Sequence, residues 1–140
     1  MSSANSAADF FGKPIFTYTR ADAIADGVLV DVSDVAREAG FVVPVALSCA
    51  AWGDMVAWTA EDSARQCPQD EPGRLWDVLN LARYRIKLAD KGASGEIGFS
   101  VLRVPRGGNA TRPVRAHLML HSGAGDNGEH VMTIMLPNED

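Results

Sequence analysis

Hydrophobic positions along this chain fall in short bursts divided by glycine, proline and capping residues, and only one stretch keeps a helical period for long. From about Arg74 to Asp90, the residues Leu75, Leu79, Ala82, Ile86 and Ala89 form one apolar stripe, widened by Trp76, Val78, Leu81 and Leu88. Arg83, Arg85, Lys87 and Lys91 crowd its C-terminal half, where cations complement the helix dipole. Pro72, in a loop from Cys67 to Gly73, suits the first helical turn, and Gly92 closes the element. The pattern predicts a long helix that buries its stripe against a sheet.

Before that helix the elements are brief. Ile15 to Tyr18 reads as a short strand after a polar tail over residues 1–13. Thr19 with Asp22 forms a capping box for a helix from Asp22 to Asp26 that Gly27 stops. Val28 to Val32 is β-branched and predicts a strand, and Ser33 caps a helix through Ala39 that Gly40 ends. Phe41 to Leu47 reads extended, with Pro44 confining it to an edge or a bulge. Ser48 caps a helix from Cys49 to Trp58, and Thr59 with Asp62 repeats the capping box before a polar segment ending at Gln66.

After the long helix the period changes to two. Strands are predicted at Glu96–Val104, Val114–Ser122 and His130–Leu136, joined by glycine-rich connections that favour adjacent antiparallel pairing. On the middle strand Val114, Ala116, Leu118 and Leu120 point one way, and Arg115, His117, Met119 and His121 the other. The expected fold is α+β: short N-terminal βα units and one long helix packed on a three-stranded antiparallel C-terminal sheet, in one globular domain over residues 14–140.

Composition narrows the picture. At 140 residues with 46% hydrophobic and 22% charged side chains, the chain is ordinary globular material. Two cysteines are too few for a disulfide framework, and the start of the chain lacks a basic and apolar leader. The longest uncharged stretch, Ala39–Gly53, is too short and interrupted to span a bilayer. A cytoplasmic protein without membrane association is the expectation. The net charge of −5 is uneven: residues 1–70 hold four Lys/Arg and ten Asp/Glu, giving −6, whereas residues 71–140 hold nine and eight, giving +1. A uniformly basic nucleic-acid binder is disfavoured, while an acidic face with a local basic patch remains open.

Candidate chemistry is sparse. Gly123, Gly125 and Gly128 match a dinucleotide-loop spacing, but a strand follows where that loop requires a helix, so they read as a hairpin turn. His117 and His121 lie roughly 13 Å apart along one strand. His121 and His130 become cross-strand neighbours in a symmetric hairpin, yet two ligands do not make a zinc site. Cys49, at a helix start, is a thiolate candidate with no assignable base; burial as a small apolar residue is the commoner fate. No catalytic residue, metal or cofactor is expected. The most suggestive segment is 103–115, where Arg103, Arg106, Arg112 and Arg115 surround Gly107-Gly108 and no acid occurs between Glu96 and Asp126. Arginine forks bind phosphates and carboxylates, and an exposed loop with solvated arginines accounts for the same residues. On the acidic half, Asp31, Asp34 and Glu38 are the candidate protein-interaction residues.

From about Ile15 to Asp140 the chain resembles a family of small proteins of unknown function carried by bacterial plasmids, integrative elements and phages. The resemblance rests on Ile15–Arg20, Asp26–Phe41, Gly73–Val78, Arg103–Arg106 and Asp126–Asp140; Ser48-Cys49 departs from the Thr-Arg expected there. It implies accessory cargo of mobile elements. The expected function is therefore a non-enzymatic protein that inhibits a host defence nuclease complex, of anti-CRISPR or anti-restriction type, by binding a host protein or ribonucleoprotein. Nucleic-acid or anion binding through the arginine loop is the alternative, and a small enzyme of unrecognised type comes third.

Overall fold

The computed structural model of the chain describes residues 17–89 and 95–139. The expected N-terminal tail, the first half of the strand expected at 15–18, and the helix stop at Gly92 lie outside the described residues; Thr17 and Tyr18 lie within them and form no strand. The elements run α1 (Arg20–Ala25), β1 (Leu29–Asp31), α2 (Ser33–Glu38), β2 (Val45–Ser48), α3 (Cys49–Met55), α4 (Ala60–Arg65), α5 (Glu71–Leu88), β3 (Glu96–Arg103), β4 (Val114–Ala124) and β5 (His130–Met135). No helix among the described residues is long and apolar enough to cross a membrane.

Local chemistry sets most helix starts. Both Thr–Asp capping boxes form, Thr19 with Asp22 on α1 and Thr59 with Asp62 on α4. Ser48 Oγ accepts the Ala51 N–H and so opens α3, which stops at Met55, short of the expected Trp58. Asp70 accepts the Gly73 N–H and starts α5 at Glu71, three residues before the expected Arg74. At α2 the expected serine cap is replaced. Val32 occupies the cap position without a side-chain bond, and the Ser33 hydroxyl instead accepts the Val45 N–H and donates to Asp31 Oδ1 at 2.6 Å.

The sheet departs from the expected three strands. It has five, in the order β1-β2-β5-β4-β3. The expected antiparallel trio β3, β4 and β5 is present, but β2 adds to it parallel to β5, and β1 pairs antiparallel with β2. The reason lies in β2, whose residues Val45, Ala46, Leu47 and Ser48 are all buried. A short strand apolar on both faces belongs in a sheet interior. Pro44 does not confine it to an edge, because it precedes the strand and contributes only its carbonyl, which accepts the Met132 N–H at 2.9 Å.

One face of the sheet carries the main core. Val45, Leu47, Phe99, Val101, Ala116, Leu118, Leu120 and Ile134 meet Ala36 of α2, Ala51 and Met55 of α3, and Leu75, Val78, Leu79 and Ala82 of α5. On the other face Arg20 of α1 donates to Thr133 Oγ1 at 2.8 Å, which ties α1 to the central strand β5. Arg115, His117 and His121 on that face of β4 stay exposed, as the alternation predicts, whereas Val114 is exposed rather than buried. Trp76, Leu81 and Leu88 do not widen the buried stripe of α5 but lie on its outer side.

Leu79 is fully buried. Leu79→Ala is expected to cost about 2–5 kcal/mol, the usual range for truncating an apolar core residue. Trp76→Ala, at an exposed position, should cost clearly less; chemical denaturation of the two variants tests the orientation of α5.

Candidate functional site: the arginine loop and the acidic helix

The loop over residues 104–113 joins β3 to β4 and is held against α4 and the start of α5. Its anchor is Arg74, a buried cation 6% exposed on the first turns of α5. Its Nε donates to Val56 O at 3.1 Å, its Nη1 to Gln69 Oε1 at 2.6 Å and Val104 O at 3.0 Å, and its Nη2 to Asp54 O at 3.4 Å. The guanidinium also stacks 4.6 Å from the centre of the Trp58 ring. Burial, then the neighbouring Arg103, lower its pKa, with Asp54 opposing; an arginine nonetheless stays charged.

Two further side chains, both missed by sequence reasoning, tie down the loop. Gln66 Nε2 donates to Pro105 O at 2.8 Å and Ala110 O at 2.7 Å, and its Oε1 accepts the Gly107 N–H at 2.8 Å. Gly107 and Gly108 both take positive φ, 91° and 66°, conformations that fold the loop back toward Gln66 and suit glycine. Asp62, 3% exposed, receives Arg106 Nε at 2.8 Å and Arg65 Nη2 at 2.8 Å. The Thr59 backbone N–H holds the Asp62 carboxyl below its ordinary pKa, burial works against this, and the Thr59 hydroxyl and Arg106 add to the lowering. A clue was present in the sequence. With no acid between Glu96 and Asp126, any carboxylate partner of these arginines comes from outside that stretch.

The four arginines of the segment 103–115 therefore have different fates. Arg103 donates Nε and Nη2 to Asp54 Oδ1 at 3.0 and 2.9 Å, and Arg106 is bound to Asp62. Arg115 donates to Ser100 Oγ at 3.0 Å, and Arg112 is exposed without an ion pair among the described residues. The acidic candidates lie at and beside α2. Asp31 accepts from Ser33, Asp34 pairs with Arg37 at 3.2 Å on the surface, and Glu38 is exposed.

The remaining candidates do not converge. Gly128, with φ 82°, lies in the turn between β4 and β5, so the glycine triplet makes a hairpin. His121 stands opposite Thr133, and His130 opposite Ala124, so the two histidines are not cross-strand neighbours. The hairpin register pairs residues whose numbers sum three higher than that arrangement requires. His117 lies opposite Ser100, and His121 Nδ1 is 3.4 Å from Glu96. Among the described residues no three His, Cys, Asp or Glu side chains gather as a metal site. Cys49 is exposed rather than buried, at the start of α3.

Two outcomes follow from this network. Arg74→Ala should cost about 2–5 kcal/mol, because it leaves buried carbonyls of Val56 and Val104 without donors. Asp62 is held below its ordinary value of 3.8, so its contribution to stability is present above that pH and is lost as pH falls through the lower folded value. Asp62→Asn should therefore be less stable than wild type at neutral pH, and the gap should narrow below pH 3.8. Denaturation midpoints measured across that range test the sign.

No curated protein and no solved structure matches the chain. A family model matches residues 7–140, so the chain belongs to the family described as "Family of unknown function (DUF6573)".

Proposed function

We propose that this chain is a non-enzymatic interaction protein of mobile genetic elements, which inhibits a host defence nuclease complex of anti-CRISPR or anti-restriction type by protein–protein binding. One observation supports this reading over a phosphate-binding loop. Arg103 and Arg106 are occupied by Asp54 and Asp62 at 2.9 and 2.8 Å, whereas Asp34 and Glu38 beside Asp31 face solvent. A phosphate would have to displace carboxylates already in hydrogen-bonding geometry. An acidic surface competes instead for the basic groove with which a nuclease complex holds nucleic acid, and its charges steer the encounter. The partner is a host protein or ribonucleoprotein of the cytoplasm, and the mobile-element origin rests on the resemblance of the sequence.

The second reading, direct nucleic-acid or anion binding, keeps one specific support: Arg112 and Arg115 remain exposed at the start of β4. With Arg103 and Arg106 engaged, the salt slope for DNA or RNA would reach only about −2, since each neutralised phosphate contributes about −0.9. Filter binding on DNA and RNA at two salt concentrations separates the readings. The expected result is weak binding to both. Joint replacement Asp31→Asn, Asp34→Asn and Glu38→Gln should slow association with the captured host complex by about tenfold. Tight, salt-sensitive nucleic-acid binding abolished by removing the loop arginines would overturn the inhibitor reading.

A further inference from the structure

The sheet ends on β3, an eight-residue strand with uncharged residues at every position between Glu96 and Arg103. Ser122 N–H donates to Gly95 O at 2.6 Å, which fixes the ladder: Gly95, Ile97, Phe99, Val101 and Arg103 direct their backbone groups toward β4. Gly98, Ser100 and Leu102 therefore direct theirs outward, and among the described residues these take no partner. Natural edge strands are usually shortened, bulged, covered, or broken by lysine or proline. Among the described residues the centre of this edge has none of these features.

The edge is also apolar. Leu102 is 59% exposed, while a side chain built on Gly98 would meet nothing within 4 Å. Beside the edge, α5 turns Leu81, Tyr84 and Leu88 outward, with Tyr84 and Leu88 61% and 60% exposed. Leu81 and Ser100 both line two open grooves beside α5 and β3, the first of which also reaches His117, Leu118 and Met119 of β4. The helix runs antiparallel to the strand, since Arg74 bonds Val104 while Leu88 lies in the groove with Gly98.

From this geometry we infer that β3 pairs antiparallel with β3 of a second copy, joining the two sheets into one. Three features are self-complementary about a two-fold axis through Ser100. The outward-facing residues come into register with one another, Gly98 opposite Leu102 and Ser100 opposite itself, so every outward N–H and C=O meets its counterpart. Leu102 of each copy enters the open space beside Gly98 of the other. The same axis passes near Leu81, and Asp77 and Arg85 lie four residues to either side of it on α5. Asp77 of one copy thus faces Arg85 of the other, and neither has an ion pair among the described residues. A pairing shifted by two residues sets the Glu96 carboxylate against Leu102 and leaves Gly98 facing Ser100, which forfeits the fit.

Sedimentation velocity on the full chain, over a range of concentrations, tests this. The wild type should reach twice the 15.0 kDa chain mass. Leu102→Lys at the exposed edge should weaken self-association by at least about tenfold. Gly98→Val, which improves strand propensity, should weaken it too because it fills the receiving space. Asp77→Arg and Arg85→Asp should each weaken the dimer, and the double variant should restore it, a rescue that no effect on folding reproduces. A wild type that stays monomeric throughout overturns the inference. So does a monomer whose Gly98, Ser100 and Leu102 amides resist exchange, because another segment of the same chain then occupies the edge. A dimer indifferent to Leu102→Lys and to the charge swap overturns it as well, by moving the interface elsewhere.

Discussion

The Arg74 guanidinium is the constraint around which one end of the molecule is arranged. A buried cation is tolerated only where its donors are satisfied, and here four acceptor residues come from three places in the chain: Asp54 and Val56 at the end of α3, Gln69 before α5, and Val104 after β3. Two of these are terminal carbonyls of α3, which lack helical partners and carry the negative end of its dipole. One side chain therefore meets the electrostatic need of a helix end while fixing where α5 crosses the last residues of β3. Trp58 closes the arrangement by covering the guanidinium and donating its indole N–H to Ser63 at 3.0 Å.

Once the end of β3 is fixed, the course of the following loop is narrowed. It leaves the sheet beside α4, where Gln66 satisfies two loop carbonyls and one amide and Asp62 receives Arg106. The consequence for function is electrostatic. Two of the four arginines in the segment 103–115 are neutralised by carboxylates from the acidic N-terminal half, so the charge asymmetry along the chain is partly cancelled in space. Around the loop this leaves a small basic remainder at Arg112 and Arg115, and α2 keeps an acidic one. The free edge of β3 is organised differently. There α5 covers β3 from one face only, and the strand keeps a backbone edge and apolar side chains that nothing else among the described residues satisfies.

Much of the fold was legible because it is set by local chemistry. The Thr19–Asp22 and Thr59–Asp62 boxes, the helix stop at Gly27, the stripe of α5 and the alternation of β4 each depend on residues within a turn or two of one another. The sequence misleads where a distant group intervenes. Ser33 was available as a cap, but its hydroxyl is taken by the Val45 amide. Trp76, Leu81 and Leu88 share a helix with the core residues, but where on the helix the sheet contacts it depends on Arg74 and Val104, separated by 30 residues.

By itself, then, the sequence determined most of the helices, the two Thr–Asp caps and the antiparallel C-terminal strands, since each rests on short-range hydrogen bonding and periodicity. Only the tertiary structure decided that β2 enters the sheet beside β5, because strand partnership is set by burial on both faces at once and not by any local signal. It alone decided which arginines remain free. An ion pair such as Arg106–Asp62 joins residues 44 positions apart, and charge at such a separation acquires meaning only when folding brings the two groups within hydrogen-bonding distance.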